Sequence, residues 1–158
     1  MTKAQKITLF LLRISMGWLM FYAGITKVLN PEWTAAGYLQ NAKTLPGLFA
    51  WFAAPANIGW VNFVNEWGLT LLGVSLILGV FVRLSSILGV LLMMLYYLPI
   101  LTFPRIGATA YIVEQHVIYA LVLVFFATVR AGRYYGLENW CGNLPICSRF
   151  PRLRAWLG

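Results

Sequence analysis

The chain has 158 residues, a net charge of +8, and a composition that is 61% hydrophobic but only 10% charged. Soluble domains carry about 25% charged residues, so there is too little polar surface to coat a soluble particle, and an integral membrane protein is expected. Nucleic-acid binding is a poor reading of the basic excess, because those charges flank apolar runs and do not share a separate soluble domain.

Four apolar runs, at 7–29, 61–82, 84–103 and 112–129, each come close to the ~20 residues a helix needs to cross the hydrocarbon core. They predict an all-α fold: an integral membrane four-helix bundle, one domain over 1–158, with a long outer loop containing short interfacial helices. The first run follows Lys3 and Lys6 as a secretory signal would. It is longer than a signal's roughly 7–15 apolar residues and has no small-residue cleavage site behind it, so it reads as a retained span. It ends near "NPEW", where Pro31 stops the helix.

The connection over 30–60 is long enough to expect a function. Its segments "TAAGYLQNA" and "GLFAWFAAPANIGW", divided by Pro46 and closed near Pro55, read as two short helices. Trp33, Tyr38, Trp51 and Trp60 suit the lipid–water interface, so the loop is expected to lie on the outer surface as a partial lid. A second helix returns, a tight turn around Arg83 reverses the chain, and a third helix goes out. The turn "TFPRIGATA" leads into the fourth, which opens on "EQHV", and a basic tail occupies 130–158. Cys141 and Cys147 lie in that tail without a C-x-x-C spacing and read as free thiols in a reducing compartment.

An even number of spans places both termini on one side. That side would carry Lys3, Lys6, Arg83, Arg130, Arg133, Arg149, Arg152 and Arg154, against Lys27, Lys43 and Arg105 opposite. The asymmetry predicts a multi-pass protein of the cell (inner) membrane with both termini cytoplasmic, and its basic flanks favour anionic membrane lipids.

Small and polar residues at steps of 4 and 3 mark the faces that pack, since close backbone approach drives helix association in lipid. These faces are Arg13, Gly17, Met20, Gly24 and Lys27; Asn62, Glu66, Leu69, Gly73 and Leu76; Ser85, Gly89, Leu92 and Tyr96; and His116, Tyr119 or Ala120, Leu123 and Ala127. Lys27, Glu66, Tyr96 and His116 then fall near one outer level, with Glu66 and His116 roughly 6–8 Å below their helix starts. Ionisable groups within a membrane tend to mark functional pathways, and Glu66 with His116, the only histidine, would suit proton transfer near neutrality. The structural alternatives are an ion pair of Glu66 with Lys27 and a histidine satisfied by its neighbours. Glu114 lies about 200° around the helix from His116 and is expected to point away and complement the helix dipole; Gln115 is intermediate. Arg13 is expected to snorkel to the cytoplasmic interface.

One histidine excludes bis-histidine haem ligation. There is no nucleotide-binding glycine loop, no H-E-x-x-H motif and no aspartate anywhere in the chain. No metal or haem is predicted.

Three stretches carry a resemblance: "LRISMGWLMFYAGITKVLNPEW" with the following "GYL", then "NEWGLTLLGVSLILGVFVRLSSILG", and "EQHVIYALVLVFFATVRAGRYYGLENW". They resemble the DoxX family of small four-helix membrane proteins over most of 9–140, the Arg13–Gly17–Gly24–Lys27 frame and the "GRYYGL" ending included. The resemblance implies membrane redox metabolism, since the related DoxD-type subunit belongs to a thiosulfate:quinone oxidoreductase. It supplies no catalytic residue set. The expected function is a redox-associated membrane subunit that binds quinone and works with a partner protein in a larger complex. Glu66 and His116 would handle protons, and Lys27, Trp67, Tyr96 and Tyr119, with Trp18 and Tyr22, would contact the ring. Lys27 and Arg105 would attract an anionic donor such as a sulfur oxyanion. A non-catalytic scaffold or assembly subunit is the competing reading, and transport ranks lower because no inverted repeat is present.

Overall fold

The computed structural model describes residues 1–106 and 110–138. Cys141, Cys147 and the arginines of the distal tail lie outside the described residues. Helix α1 spans Lys3–Val28, and two short helices follow, α2 at Ala36–Gln40 and α3 at Pro46–Phe52. Next come α4 at Ile58–Leu78, α5 at Val82–Ile100 and α6 at Gln115–Val129. Helices α1, α4 and α5 are long and apolar enough to cross a membrane, whereas α6 is apolar but has 15 residues. The fourth apolar run thus yields a shorter helix than expected: Ile112 takes a left-handed φ of 56° and Glu114 is extended, so helical geometry starts only at Gln115. Around the "TFPRIGATA" turn the described residues form more than a plain turn. They make antiparallel two-residue strands, β1 Leu101–Thr102 against β2 Arg105–Ile106, and β2 against β3 Ala110–Tyr111.

Local chemistry explains the helix ends. Thr2 and Gln5 form a reciprocal capping box at the start of α1, satisfying two backbone donors that would otherwise face no acceptor. Pro46 occupies the first position of α3, where its missing N–H costs nothing. Gly79 closes α4 at φ 69°, a left-handed cap that glycine adopts without strain. The α4–α5 reversal is tied by Ser75, whose hydroxyl is 2.6 Å from the Val80 carbonyl and 2.7 Å from Ser85 Oγ.

Helix α1 packs along α4, and α5 packs along α6; a narrower contact between α4 and α5 joins the two pairs. The α1–α4 contact is backbone-close because of glycine. A Cβ on Gly24 would strike the Thr70 backbone, and one on Gly73 would strike the Phe21 backbone. Gly17 likewise faces Leu76 and Ile77. The core between the pairs is aliphatic: Leu69, Leu72, Leu76, Met93, Leu123 and Phe126 are all buried. Helices α2 and α3 form a second small core with Phe49, Leu39, Ala35 and Ala53 buried, and so make a roof over one end of the molecule.

At the opposite end the chain after α6 folds back onto α4. Leu137 N donates to Leu78 O, and Glu138 N to Gly79 O. Arg13 lies beneath this return with 0% exposure. Its Nη1 donates to Ala131 O at 3.4 Å and its Nη2 to Tyr135 O at 3.1 Å. The expectation of a snorkelling Arg13 is therefore corrected: the "GRYYG" turn brings carbonyl acceptors to the guanidinium, so it has no need to reach an interface. Beside it, burial pushes the Glu138 carboxyl above the usual carboxylate range, although the arginines nearby pull the other way.

Candidate functional site

Lys27 is placed one residue before the end of α1, where the roof begins. Its Nζ donates to Asn65 Oδ1 of α4 at 2.8 Å and to Tyr96 Oη of α5 at 2.9 Å. Tyr96 Oη donates in turn to Asn65 Oδ1 at 2.7 Å. One side chain from each of three helices thus closes a triangle of hydrogen bonds. The ammonium also sits 4.7 Å from the Trp33 ring centroid, within cation–π range. The amide orientation of Asn65 is fixed by chemistry, because an ammonium only donates and the atom it meets must be oxygen.

This triangle borders a cavity of about 390 Å³. The roof covers it with Trp33, Thr34, Tyr38 and Phe52, and its sides come from α4 and α5, including Val64 and Leu95. At Lys27, Asn65 and Thr34 the free hydrogen-bonding capacity is for donation. Lys27 uses two of its three N–H bonds on Asn65 and Tyr96. The Asn65 amide nitrogen donates to no described residue, and the Tyr96 hydroxyl donates to Asn65 while accepting from Lys27. Thr34 Oγ1 accepts from Asn62 Nδ2 and from Ala36 N, which leaves its own hydrogen to donate. A ligand here would meet donors and aromatic faces, so the complementary group is a hydrogen-bond acceptor on a flat apolar body.

The roof is fastened. Asn62 Oδ1 accepts from Ala35 N at 3.0 Å. Lys43 N donates to Pro99 O at 2.7 Å, and Thr44 Oγ1 donates to Leu101 O at 2.6 Å. Tyr38 Oη donates to the Tyr96 carbonyl. Burial, with a smaller contribution from the Glu114 carboxylate, pushes the Tyr38 phenol up to about 12, so it remains a donor at any physiological pH.

Of the residues expected to contact quinone, carry protons or attract the anion, Lys27 and Tyr96 meet at the cavity and the others lie elsewhere. His116 stacks on Tyr96 with ring centroids 5.5 Å apart, and Tyr119 stands edge-on to His116 at 6.4 Å; neither lines the cavity. Glu66 is half-buried on α4 and acts on Lys27 through its charge, without lining the cavity. Trp67 is 41% exposed and packs beside Phe63 on the outside of α4. Trp18 and Tyr22 are exposed and stack on each other. Arg105 is an exposed residue of β2.

Glu114 requires a correction. It does cap α6, accepting from His116 N at 2.9 Å, but it also meets His116 Nδ1 at 2.6 Å. The wheel angle that sent it away assumed helical geometry, whereas Glu114 has φ −131° and ψ 170°. An extended N-cap turns its side chain back over the first turn. Histidine 116 therefore has its Nδ1 fixed by a carboxylate, and that carboxylate is Glu114 rather than Glu66.

Asn65 was missed. It lies one position from Glu66, and the more conspicuous carboxylate took the place in the helix stripe. The series Asn65, Leu69, Leu72 and Leu76, at steps of 4, 3 and 4, was the available signal, and all four are buried.

No curated protein and no solved structure matches the chain. The family model for DoxX matches residues 8–103. That stretch runs from α1 through the roof, α4 and α5, and contains Arg13, Lys27, Asn65 and Tyr96. The protein is a membrane protein, and it belongs to the DoxX family.

Proposed function

We propose that the roofed cavity binds the head group of a membrane quinone, and that the protein serves as a redox-associated subunit of a larger membrane complex. The single observation that carries this reading is the donor-only polar wall formed by Lys27 and Asn65 beneath aromatic faces. A quinone presents carbonyl acceptors on a flat ring and fits that wall. When bound, it supplies chemistry that takes up two electrons and two protons. Lys27 and Asn65 would hold a carbonyl oxygen and stabilise negative charge growing there, in a site where low dielectric strengthens the effect. Trp33 and Phe52 would cover the ring and exclude water. The Glu114–His116 pair, behind Tyr96, is the titratable group nearest the site on α6, and histidine is suited to exchange protons with the outer water. Electrons would come from a partner protein or from a donor at the roof side, where Lys43 and Arg105 favour an anion such as a sulfur oxyanion.

In this reading α6 completes a four-helix bundle by crossing with help from the β1–β3 segment and the turn after Val129. Both termini face the cytoplasm, and the roof lies on the outer face of the inner membrane.

The test is quinone binding in nanodiscs. Lys27→Met should weaken binding roughly ten- to hundredfold in Kd, as losing a hydrogen bond with a charged group costs about 1.5–3 kcal/mol, and Asn65→Leu should weaken it less, by about 0.5–1.5 kcal/mol for a neutral hydrogen bond. Trp67→Leu should bind normally. His116→Phe should retain binding but lower quinone-linked turnover, measured with any native partner present. Unaltered binding in the Lys27 and Asn65 variants would leave a non-catalytic scaffold as the better account.

A further inference from the structure

We infer that the ligand of this cavity enters sideways from the lipid, through the seam between α4 and α5, and that the roof stays shut. The inference rests on the quinone reading and adds a route and a ligand shape: a head group in the cavity and an apolar tail left outside in the bilayer.

The seam is set by how α4 and α5 meet. From their reversal upward they are held by the Ser75–Ser85 hydrogen bond, by Leu72 over Gly89, and by Leu92 facing Gly68. Above that level the Asn65–Tyr96 hydrogen bond still joins them, and the side chains around it line the cavity. Val64 on α4 and Leu95 on α5 are both cavity-lining and outward-facing, with 51% and 44% exposure. A residue that is on the cavity wall and on the outer surface marks an opening. This opening lies among exposed apolar side chains, Phe63 on α4 and Leu91 and Leu88 on α5, so it faces hydrocarbon.

Thr34 and Tyr38 of the roof and Trp60 at the top of α4 are also cavity-lining and exposed and share the rim of this opening, but the roof itself is fastened. Lifting it would break the bonds of Lys43, Thr44 and Tyr38 to the end of α5 and the bond that Ala35 N donates to Asn62 on α4. It would also expose Phe49, which is buried in the roof's own core. Widening the seam needs only rotamer changes in two aliphatic side chains, which occur in nanoseconds at exposed positions. A water-borne anion would have to pass the roof; a tailed amphiphile already dissolved in the bilayer would not. The wall then favours a ligand that carries its acceptor group at one end and hydrocarbon at the other.

The experiment uses the full chain in nanodiscs and a benzoquinone with a decyl tail at fixed bilayer mole fraction. Association is followed by the saturable part of tryptophan quenching in stopped flow. Val64→Trp with Leu95→Trp, which plugs the seam, should slow association roughly tenfold or more against the wild type. Thr44→Val with Asn62→Leu, which loosens the roof, should leave the rate unchanged. Should the tryptophan pair fail to insert, Leu95→Ala should speed association by widening the seam. A wild-type rate in the seam variants, or faster association in the loosened-roof variant, would overturn lateral entry while leaving the quinone reading intact. Failure of the wild-type protein to bind, or normal binding by Lys27→Met, would remove the quinone reading itself and this route with it.

Discussion

Arg13 and Lys27 lie on one face of α1, fourteen residues apart, or about 21 Å along the axis, and they are treated in opposite ways. Arg13 is sealed under a turn. Its partners are the carbonyls of Ala131 and Tyr135, and it packs directly against Gly79 and Gly136, where no side chain would fit. Lys27 is held by two side chains, Asn65 and Tyr96, and one aromatic face, and it borders a cavity. The difference teaches how to read a cation inside a membrane helix. Partners drawn from backbone fix the chain's path, whereas movable partners and spare donors beside empty space prepare for a ligand.

The largest expected effect is at the sealed end. Arg13→Met would leave the buried Ala131 and Tyr135 carbonyls without their donor, and each buried polar group left unsatisfied costs about 1–3 kcal/mol. Unfolding in mixed micelles should show that loss, and Arg13→Lys should recover only part of it, because the two carbonyls are met by two separate guanidinium nitrogens and a single ammonium nitrogen lacks that spread. Near-normal stability of Arg13→Met would erase the contrast between the two ends.

Next comes the packing that carries both cations on one rigid α1–α4 pair. Gly73→Ala drives a Cβ into the Phe21 backbone, whereas Gly89→Ala meets only the side-chain tips of Leu72 and Leu123. Overpacking costs about 1–3 kcal/mol, and Gly73→Ala should sit at the high end and Gly89→Ala at the low end. Equal losses in the same unfolding assay would mean that α1 and α4 are not backbone-close.

The smallest effect is at the roof. Tyr38→Phe removes one hydrogen bond, worth about 0.5–1.5 kcal/mol. A phenol in an unfolded chain titrates near 10, and the folded Tyr38 is raised to about 12, so the folded state holds this proton more tightly. The latch therefore contributes fully below about pH 10 and is lost as pH rises through 12. The stability gap between wild type and Tyr38→Phe should shrink across that window and stay constant below it. Thermal melts at stepped pH would measure it.

Much of this contrast was legible in the sequence, for physical reasons that also mark where it stopped. The α1 face was readable because one helix imposes one periodicity, and Arg13, Gly17, Met20 and Gly24 are all buried as their spacing requires. The two roof helices were readable because Pro46 and the aromatic clusters punctuate them. Adjacent residues on α4 lie only 100° apart, so periodicity could not choose Asn65 over Glu66. Glu114 was misplaced because a cap residue is not helical. Arg13's partners were invisible because they are backbone carbonyls of a turn after another helix, and carbonyls have no sequence signature.

The central claim is that Lys27 serves a ligand and Arg13 serves the fold. The most direct measurement pairs Lys27→Met with Arg13→Met in one experiment that records unfolding without ligand and decyl-benzoquinone affinity in nanodiscs. The account predicts that Lys27→Met unfolds close to wild type yet loses roughly tenfold or more in affinity, while Arg13→Met is strongly destabilised. A Lys27→Met protein that binds as wild type does, or that unfolds as readily as Arg13→Met, would contradict it.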